Sequence, residues 1–493
     1  MTLMLTFLGL IPIIGSVVMC LPLKQVAKGI GLAFAVGTLA AAIGVTALYT
    51  SGVPLDIKVP WIPAFGTYWA LGLDGMGLVM VVLTAILTPL VLIAEWRMPE
   101  RVGRWPAQAF CGLVLLLEGL CLFVFMADDV LLFYLLFEAT LIPMYFLIGG
   151  FGGPQRTYAA MKFLLFGLAG GLIMLVSVIG VYAWTTQSGG VPTYFIPDLT
   201  ALPDSPQFGW LLMVCFLIAF ILKAPMVPVH TWLPTAAQEA TPGTSVLMVG
   251  VMDKLGTFGM IKICLALFPD ESKAAAPVMI VLALISIIYG ALAAIGSKNL
   301  LRLVAYTSVS HFGFMVLGIY TFSLSGLSGS IFYMVNHGFS TAALFFVVGF
   351  LIQRRGSAIV TDYGGVQKVA PVLAGMTLVA GLASLALPGM GSFVAEFMVL
   401  AGTWSQVVWA AAIATVGTVL AAVYILLMYQ RVMTGPVTAG VRETVTTDLK
   451  FSEKLVIFPL VAIMLVLGFA PGLALDQITP TASQTITLVE EGK

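Results

Sequence analysis

Apolar runs of about twenty residues follow one another along the whole chain, separated by short connections and never by a long polar stretch. A helix of about 20 residues spans a hydrocarbon layer roughly 30 Å thick, so the pattern predicts an all-α polytopic membrane protein. Fourteen crossings are expected, centred near Ile13, Val36, Leu87, Leu116, Leu141, Leu172, Leu217, Gly256, Ser286, Ser310, Leu344, Val379 (continuing, broken, to Met398), Leu420 and Val461. Residues 1–493 then form a single integral membrane domain. The run from Met4 to Leu21 has no basic segment ahead of it and is long enough to cross, which predicts a first helix and not a cleaved signal.

The positive charges test this count. Of 22 Lys and Arg, sixteen fall in or beside the odd-numbered connections: Lys24, Lys28, Arg97, Arg101, Arg104, Arg156, Lys162, Lys298, Arg302, Arg354, Arg355, Lys368, Arg431, Arg442, Lys450 and Lys454. Lys58, Lys273 and Lys493 lie on the other side, and Lys223, Lys254 and Lys262 lie inside spans. One missed or invented crossing would invert every later loop, so the split supports fourteen and puts both termini on the non-cytoplasmic side.

Two spans carry their own breaks. In the seventh, KAPMVP from Lys223 to Pro228 removes backbone donors at Pro225 and Pro228, freeing the carbonyls of Ile221 and Ala224; in the twelfth, LPGMG from Leu387 to Gly391 frees that of Ser384. Unwound backbone at membrane depth needs protein or water to satisfy it, so both breaks predict hydrated interior. They also suggest two inverted five-helix repeats, helices 4–8 (109–268) and 9–13 (276–432). An offset of 173 relates Lys223 to Glu396 and Glu138 to His311, although Pro225 then falls at 398 while the second break has Pro388.

Composition sharpens the picture. The chain is 60% hydrophobic and 9% charged, against about 25% charged in soluble domains. Formal net charge is zero and no basic block occurs, so nothing points to nucleic acid. The five cysteines, Cys20, Cys111, Cys121, Cys215 and Cys264, stand singly and support neither an iron–sulfur cluster nor a zinc site. There is no dinucleotide fingerprint and no P-loop. The GGFGG run at Gly149–Gly153 reads as a turn between helices.

Against this background four ionisable residues stand out inside apolar runs: Glu138, Lys223, Lys254 and Glu396. Each costs about 2.5–3.5 kcal/mol at the centre of a span, so the four together cost roughly 10–14 kcal/mol before pairing. The default reading of such residues is a path for ions or protons. A lysine in low dielectric gives up its proton more easily, and a carboxylate beside it reverses this. Moving a partner therefore changes proton affinity. Working against roughly 200 mV requires about 4.6 kcal/mol, or about 3.4 pKa units, within the range of a buried Lys–Glu switch. His311 and His337, in the tenth and eleventh spans, are candidate relays between the lysines and Glu396. Further relay candidates are His230 at the end of the broken helix, Glu118, Asp129 and Lys262, the last also able to snorkel toward the interface.

These residues sit in segments that resemble a known family. FYLLFEATLIPM (Phe133–Met144), KAPMVPVHTWLP (Lys223–Pro234), KLGTFG (Lys254–Gly259), LVAYTSVSHFG (Leu303–Gly313), NHGF (Asn336–Phe339) and LPGMGSFVAEF (Leu387–Phe397) resemble the antiporter-like proton-translocating subunits of respiratory complex I, NADH-quinone oxidoreductase chain 4 or subunit M in particular. The likeness extends over essentially the whole chain. It implies that Glu138 pairs with Lys223, that Lys254 is the central proton carrier and Glu396 the terminal one, and that His311 and His337 lie along the connecting polar axis. It also implies a multi-pass protein of the bacterial inner membrane beside other antiporter-like subunits. No cofactor is expected in this chain, with FMN, iron–sulfur clusters and quinone in partner subunits. An acid at 396 favours subunit M over siblings that carry lysine there. Asp253, where many relatives have an apolar residue, is a departure. The alternative resemblance is to subunits of multi-subunit Na⁺/H⁺ antiporters or membrane-bound hydrogenases.

Overall fold

The computed structural model describes residues 3–23, 26–98, 103–187, 192–202 and 208–491. Lys24, Arg101 and Lys493, used above in the charge count, lie outside the described residues. Helices α1 (Met4–Val18) and α2 (Ala27–Thr50) lead into a hairpin, β1 (Asp56–Ile62) and β2 (Thr67–Gly72). Then follow α3 (Gly75–Ala94), α4 (Ala107–Met126), α5 (Val130–Ala139), α6 (Leu141–Phe151), α7 (Arg156–Gln187), the short α8 (Ile196–Thr200) and α9 (Gly209–Lys223). Beyond a break come α10 (Trp232–Glu239), α11 (Pro242–Leu247), α12 (Lys254–Gly259), α13 (Pro269–Gly296), α14 (Leu300–Tyr320) and α15 (Leu324–Arg355). The last are α16 (Pro371–Ser384), α17 (Gly391–Gln406), α18 (Val408–Met433), α19 (Ala439–Thr444), α20 (Phe451–Phe469) and α21 (Gly472–Glu491).

The chain is helical because lipid offers no hydrogen bonds, so each apolar segment satisfies its own backbone. Among the described residues, ten helices are long and apolar enough to cross a membrane: α2, α3, α4, α5 continuing into α6, α7, α13, α14, α15, α18 and α20. Helices α1 and α9, at 15 residues each, are shorter apolar helices. The segment expected as one span around Gly256 is interrupted by π-helical turns at Met248–Met252 and Met260–Leu265. Helix α16 meets the preceding turn Val360–Lys368 at 114°.

Burial sorts the helices into layers. Helices α14 and α15 are enclosed along nearly their whole length, whereas α2, α7, α18 and α20 keep large apolar side chains such as Val36, Leu172, Val419 and Leu455 exposed. Continuous apolar exterior suits lipid. The polar interior described below therefore runs through the best-shielded helices.

Two elements were not anticipated. The antiparallel hairpin pairs Val59 with Trp69 and carries an irregularity between Pro60 and Ile62. It is tied to the bundle through Asp129, whose carboxylate accepts from Thr67 Oγ1 (2.9 Å) and Tyr68 N (2.9 Å). The same carboxylate caps α5 by accepting from Leu131 N and Leu132 N, both at 3.0 Å. The C-terminal α21 buries Ala474, Ile478, Thr481, Ala482, Thr485, Ile486 and Val489, a single amphipathic face. It is held at the start of α3, where Gly75 N donates to Thr481 Oγ1 at 3.0 Å.

At the other end of α15, Arg354 makes a bidentate pair with Glu453 of α20, Nη1–Oε1 2.9 Å and Nη2–Oε2 2.6 Å. Arg354 also donates to the carbonyls of Phe350, Thr447 and Asp448. Both side chains are buried, 6% and 7% exposed. Removing one partner of a buried pair strands the other charge at a cost of about 3–5 kcal/mol, whereas an apolar pair of similar volume is tolerated. Arg354→Ala is thus expected to lower the thermal midpoint of the detergent-solubilised protein clearly, and Arg354→Met with Glu453→Leu to lower it less. An unchanged midpoint for Arg354→Ala would show that the clamp contributes nothing.

Candidate functional site

The proline-bearing break ends α9 at Lys223. The backbone there is largely re-satisfied: the Ile221 carbonyl, expected to be free, accepts from Met226 N at 3.2 Å, and the Leu222 carbonyl accepts from Trp232 Nε1 at 3.0 Å. The Lys223 ammonium, buried at the helix end, donates to Thr140 Oγ1 at 3.1 Å and lies 4.7 Å from the Phe137 ring centroid. Among the described residues no ion pair within 4.0 Å joins Lys223 to Glu138, which corrects the direct pairing implied by resemblance. The reason is helical geometry: residues 138 and 140 are two apart and face different ways. Glu138 instead turns toward α7, where a Cβ at Gly171 would overlap its carboxylate. The two groups do line one cavity of about 10 Å³ with Leu141, Phe163, Gly167 and Trp232, close to the minimum for a single water.

Lys254 is fully buried between the two π-helical turns. Its ammonium donates to the Val249 carbonyl at 2.6 Å and meets His337 Nδ1 at 2.8 Å, with the Phe312 ring centroid at 5.4 Å. While Lys254 is an ammonium it has only donors, so Nδ1 of His337 then accepts and the neutral ring carries its proton on Nε2. That nitrogen has no partner among the described residues, and the His337 and His311 ring centroids are 5.4 Å apart.

From His311 the polar line is continuous. Its Nδ1 lies 2.6 Å from Tyr333 Oη, and Tyr333 donates to Glu396 Oε2 at 3.0 Å. Since Tyr333 gives its proton to the carboxylate, its oxygen accepts from His311 Nδ1–H. The other ring nitrogen, Nε2, is left to accept from Tyr424 Oη (3.3 Å) or Ser384 Oγ (3.4 Å). Glu396 closes the line by accepting from Thr418 Oγ1 at 2.5 Å. Lys223 ends α9 before its break, while Glu396 lies inside α17 after the second break. The sequence offset of 173 therefore does not keep the two at the same place relative to the breaks.

The remaining candidates take other positions. Glu118, buried on α4, has neither oxygen partnered among the described residues. His230 packs against Tyr289, ring centroids 4.9 Å apart, away from the line, with Nδ1 unpartnered. Asp129 is the hairpin anchor and cap described above. Lys262 is partly buried and paired with Asp128 at 2.6 Å and Asp74 at 3.6 Å, two partly exposed carboxylates that hold its ammonium in place. Sequence reading missed Tyr333, Tyr424, Thr140 and Thr418, hydroxyls that carry no insertion penalty large enough to mark them. Among the described residues no group of three His, Cys, Asp or Glu side chains forms a candidate metal site.

A many-helix membrane bundle with interrupted helices and a file of lysine, histidine, tyrosine and glutamate through its shielded interior has the architecture of an ion-translocating membrane protein. Residues 127–421 match the family described as NADH:quinone oxidoreductase/Mrp antiporter, TM. Over 525 aligned positions the chain is 46% identical to NADH-quinone oxidoreductase subunit M of Mycobacterium tuberculosis (strain CDC 1551 / Oshkosh), covering 98% of this chain and 94% of that one. A chain of respiratory complex I from Thermus thermophilus with bound NADH superimposes with a TM-score of 0.89 at 30% identity, covering 98% and 99% of the two chains. A chain of the Mrp complex from Dietzia sp. DQ12-45-1b shares the fold, with a TM-score of 0.85 at 22% identity, covering 99% and 100%. The chain belongs to the NADH:quinone oxidoreductase/Mrp antiporter family and, within it, to the subunit M proteins.

Proposed function

We propose that this chain is the subunit M component of a bacterial NADH:quinone oxidoreductase, moving protons through the membrane arm under the drive of quinone reduction in other subunits. The observation that carries the reading is the buried line from Lys254 through His337, His311 and Tyr333 to Glu396. The 46% identity to subunit M over nearly the full length of both chains supports the complex I assignment. The Mrp likeness, at 22% identity, concerns the fold alone, so a Na⁺/H⁺ antiporter or hydrogenase subunit is the less supported reading.

In this reading Glu138, Lys223, Lys254 and Glu396 are the titrating stations and His311 and His337 the relays. Glu118, His230, Asp129 and Lys262 are secondary candidates. The chain itself does no redox chemistry: FMN, iron–sulfur clusters and quinone belong to partner subunits, and neighbouring antiporter-like chains flank it in the arm. Fourteen crossings follow if α1, α9, the interrupted segment from Pro242 to Leu265, and α16 with α17 are counted beside the ten long helices. Residues 109–268 and 276–432 are then two inverted repeats within one membrane domain, with both termini non-cytoplasmic.

Glu138 provides the first test. Glutamine keeps its shape yet cannot modulate the proton affinity of Lys223 across their shared cavity. Glu138→Gln is expected to leave the complex assembled and to remove most proton transport per electron in reconstituted vesicles. Wild-type stoichiometry in that variant would exclude Glu138 from the path.

A further inference from the structure

Asp253 is the buried charge that the transport line leaves unexplained. It is fully enclosed, and neither carboxylate oxygen has a hydrogen-bond partner among the described residues. Its neighbour in sequence is not its partner in space, because the Lys254 ammonium is turned away onto Val249 and His337. An isolated carboxylate in such a place is strongly disfavoured unless it is protonated or balanced by a cation. Lys254 adjoins it in sequence, and Lys223 ends α9, the helix on which this segment packs.

Helix geometry locates the carboxylate between them. Residues three and four positions apart share a face, and side chains lean toward the helix N-terminus. Gly256, three residues on, packs so closely on α9 that a Cβ there would meet Phe220 O, Ala224 N and Ala224 Cβ at 2.5–2.8 Å. Thr257, four residues on, faces α15 through Met334. Asp253 therefore lies at the seam between the end of α9, which carries Lys223, and α15, which carries His337. Among the described residues no hydrogen bond joins the two lysines, so a proton step between them needs a carrier.

We propose that Asp253 is an additional proton-carrying residue, standing between Lys223 and Lys254. The inference rests on the transport reading above. In the first step an N–H bond of the Lys223 ammonium breaks and an O–H bond forms on the Asp253 carboxylate, leaving a neutral amine and a neutral acid. In the second, that O–H breaks and an N–H forms on the Lys254 amine, restoring the carboxylate and producing the Lys254 ammonium. Atoms and charge balance, and no electrons are exchanged. The same carboxylate offsets the Lys254 cation, whose immediate partners, a carbonyl and an imidazole, are neutral.

The test compares Asp253→Asn, Asp253→Glu and Lys254→Ala in the whole complex, reconstituted in vesicles, with assembly followed by native gel. Asp253→Asn is expected to slow coupled proton transport about tenfold or more, in the range for loss of a proton-transfer group. Asp253→Glu should recover most of it, with the pH midpoint of coupled turnover moved upward because glutamate is the weaker acid by roughly 0.4 unit. Wild-type transport and pH profile in Asp253→Asn, with transport lost in Lys254→Ala, would leave Asp253 without a part in transport, as carrier or as counter-charge, and overturn the proposal. Wild-type transport in Lys254→Ala would instead overturn the transport reading itself. Should the asparagine variant not assemble, Asp253→Glu decides: an unmoved pH midpoint overturns the carrier role.

Discussion

Lys254→Ala is expected to abolish coupled proton transport, whereas Lys262→Ala mainly reduces the amount of assembled complex. The two lysines are eight residues apart, yet their surroundings differ in kind. Lys254 is held by one carbonyl and one imidazole, neutral partners that take a hydrogen bond and leave the ammonium able to exchange a proton with His337. Lys262 is fixed by Asp128 and Asp74, and a cation flanked by two carboxylates keeps its proton. Alanine at 254 removes a transfer group, for which losses of about 10²–10⁴ are typical. Alanine at 262 strands two acids and acts through stability. Transport per assembled complex separates the cases: full transport in Lys254→Ala, or a null Lys262→Ala at normal assembly, would mean that the carrier has been misidentified.

The second large effect is expected at Tyr333. Its hydroxyl joins His311 Nδ1 to Glu396 Oε2, and Tyr333→Phe deletes that oxygen while keeping the ring stacked against Phe314. Proton transport per assembled complex should fall about tenfold or more, in line with loss of a positioned acid–base group, with the thermal midpoint lowered by the two buried partners left unpaired. Glu396→Gln should do the same from the other side of the bond, since an amide fills the space but exchanges no proton. Glu396→Lys should retain more transport than Glu396→Ala, because the station needs a titratable group and not a particular sign of charge. A phenylalanine variant that transports normally would mean that protons bypass the hydroxyl.

The sequence made some of this architecture visible and concealed the rest for physical reasons. Glu138, Lys223, Lys254 and Glu396 were conspicuous because a charge in an apolar run is costly, and the two proline-containing breaks because proline removes a donor. Tyr333, Thr140 and Thr418 were not, since a hydroxyl in a membrane helix is cheap and common. The π-helical turns on either side of Lys254 have no proline to announce them and differ from the α-helix only in which carbonyl each amide chooses. The hairpin is a few residues long amid nearly five hundred. Helix α21 was overlooked because its single apolar face falls short of a crossing pattern. The Glu138–Lys223 contact failed on side-chain direction, which spacing in the sequence does not determine.

The Arg354–Glu453 clamp bears on how far anything here can travel. Helix α15 carries both Tyr333 and His337, is enclosed on nearly every side, and is pinned to α20 at its last turn. Close-packed interiors deform little, and sliding α15 by even one residue would tear the bidentate pair from a buried site. The helix thus behaves as a fixed rail. What moves along it is confined to side-chain rotations and protons. Larger mechanical displacement, if the assembly uses any, must be taken up where this rail meets its neighbours.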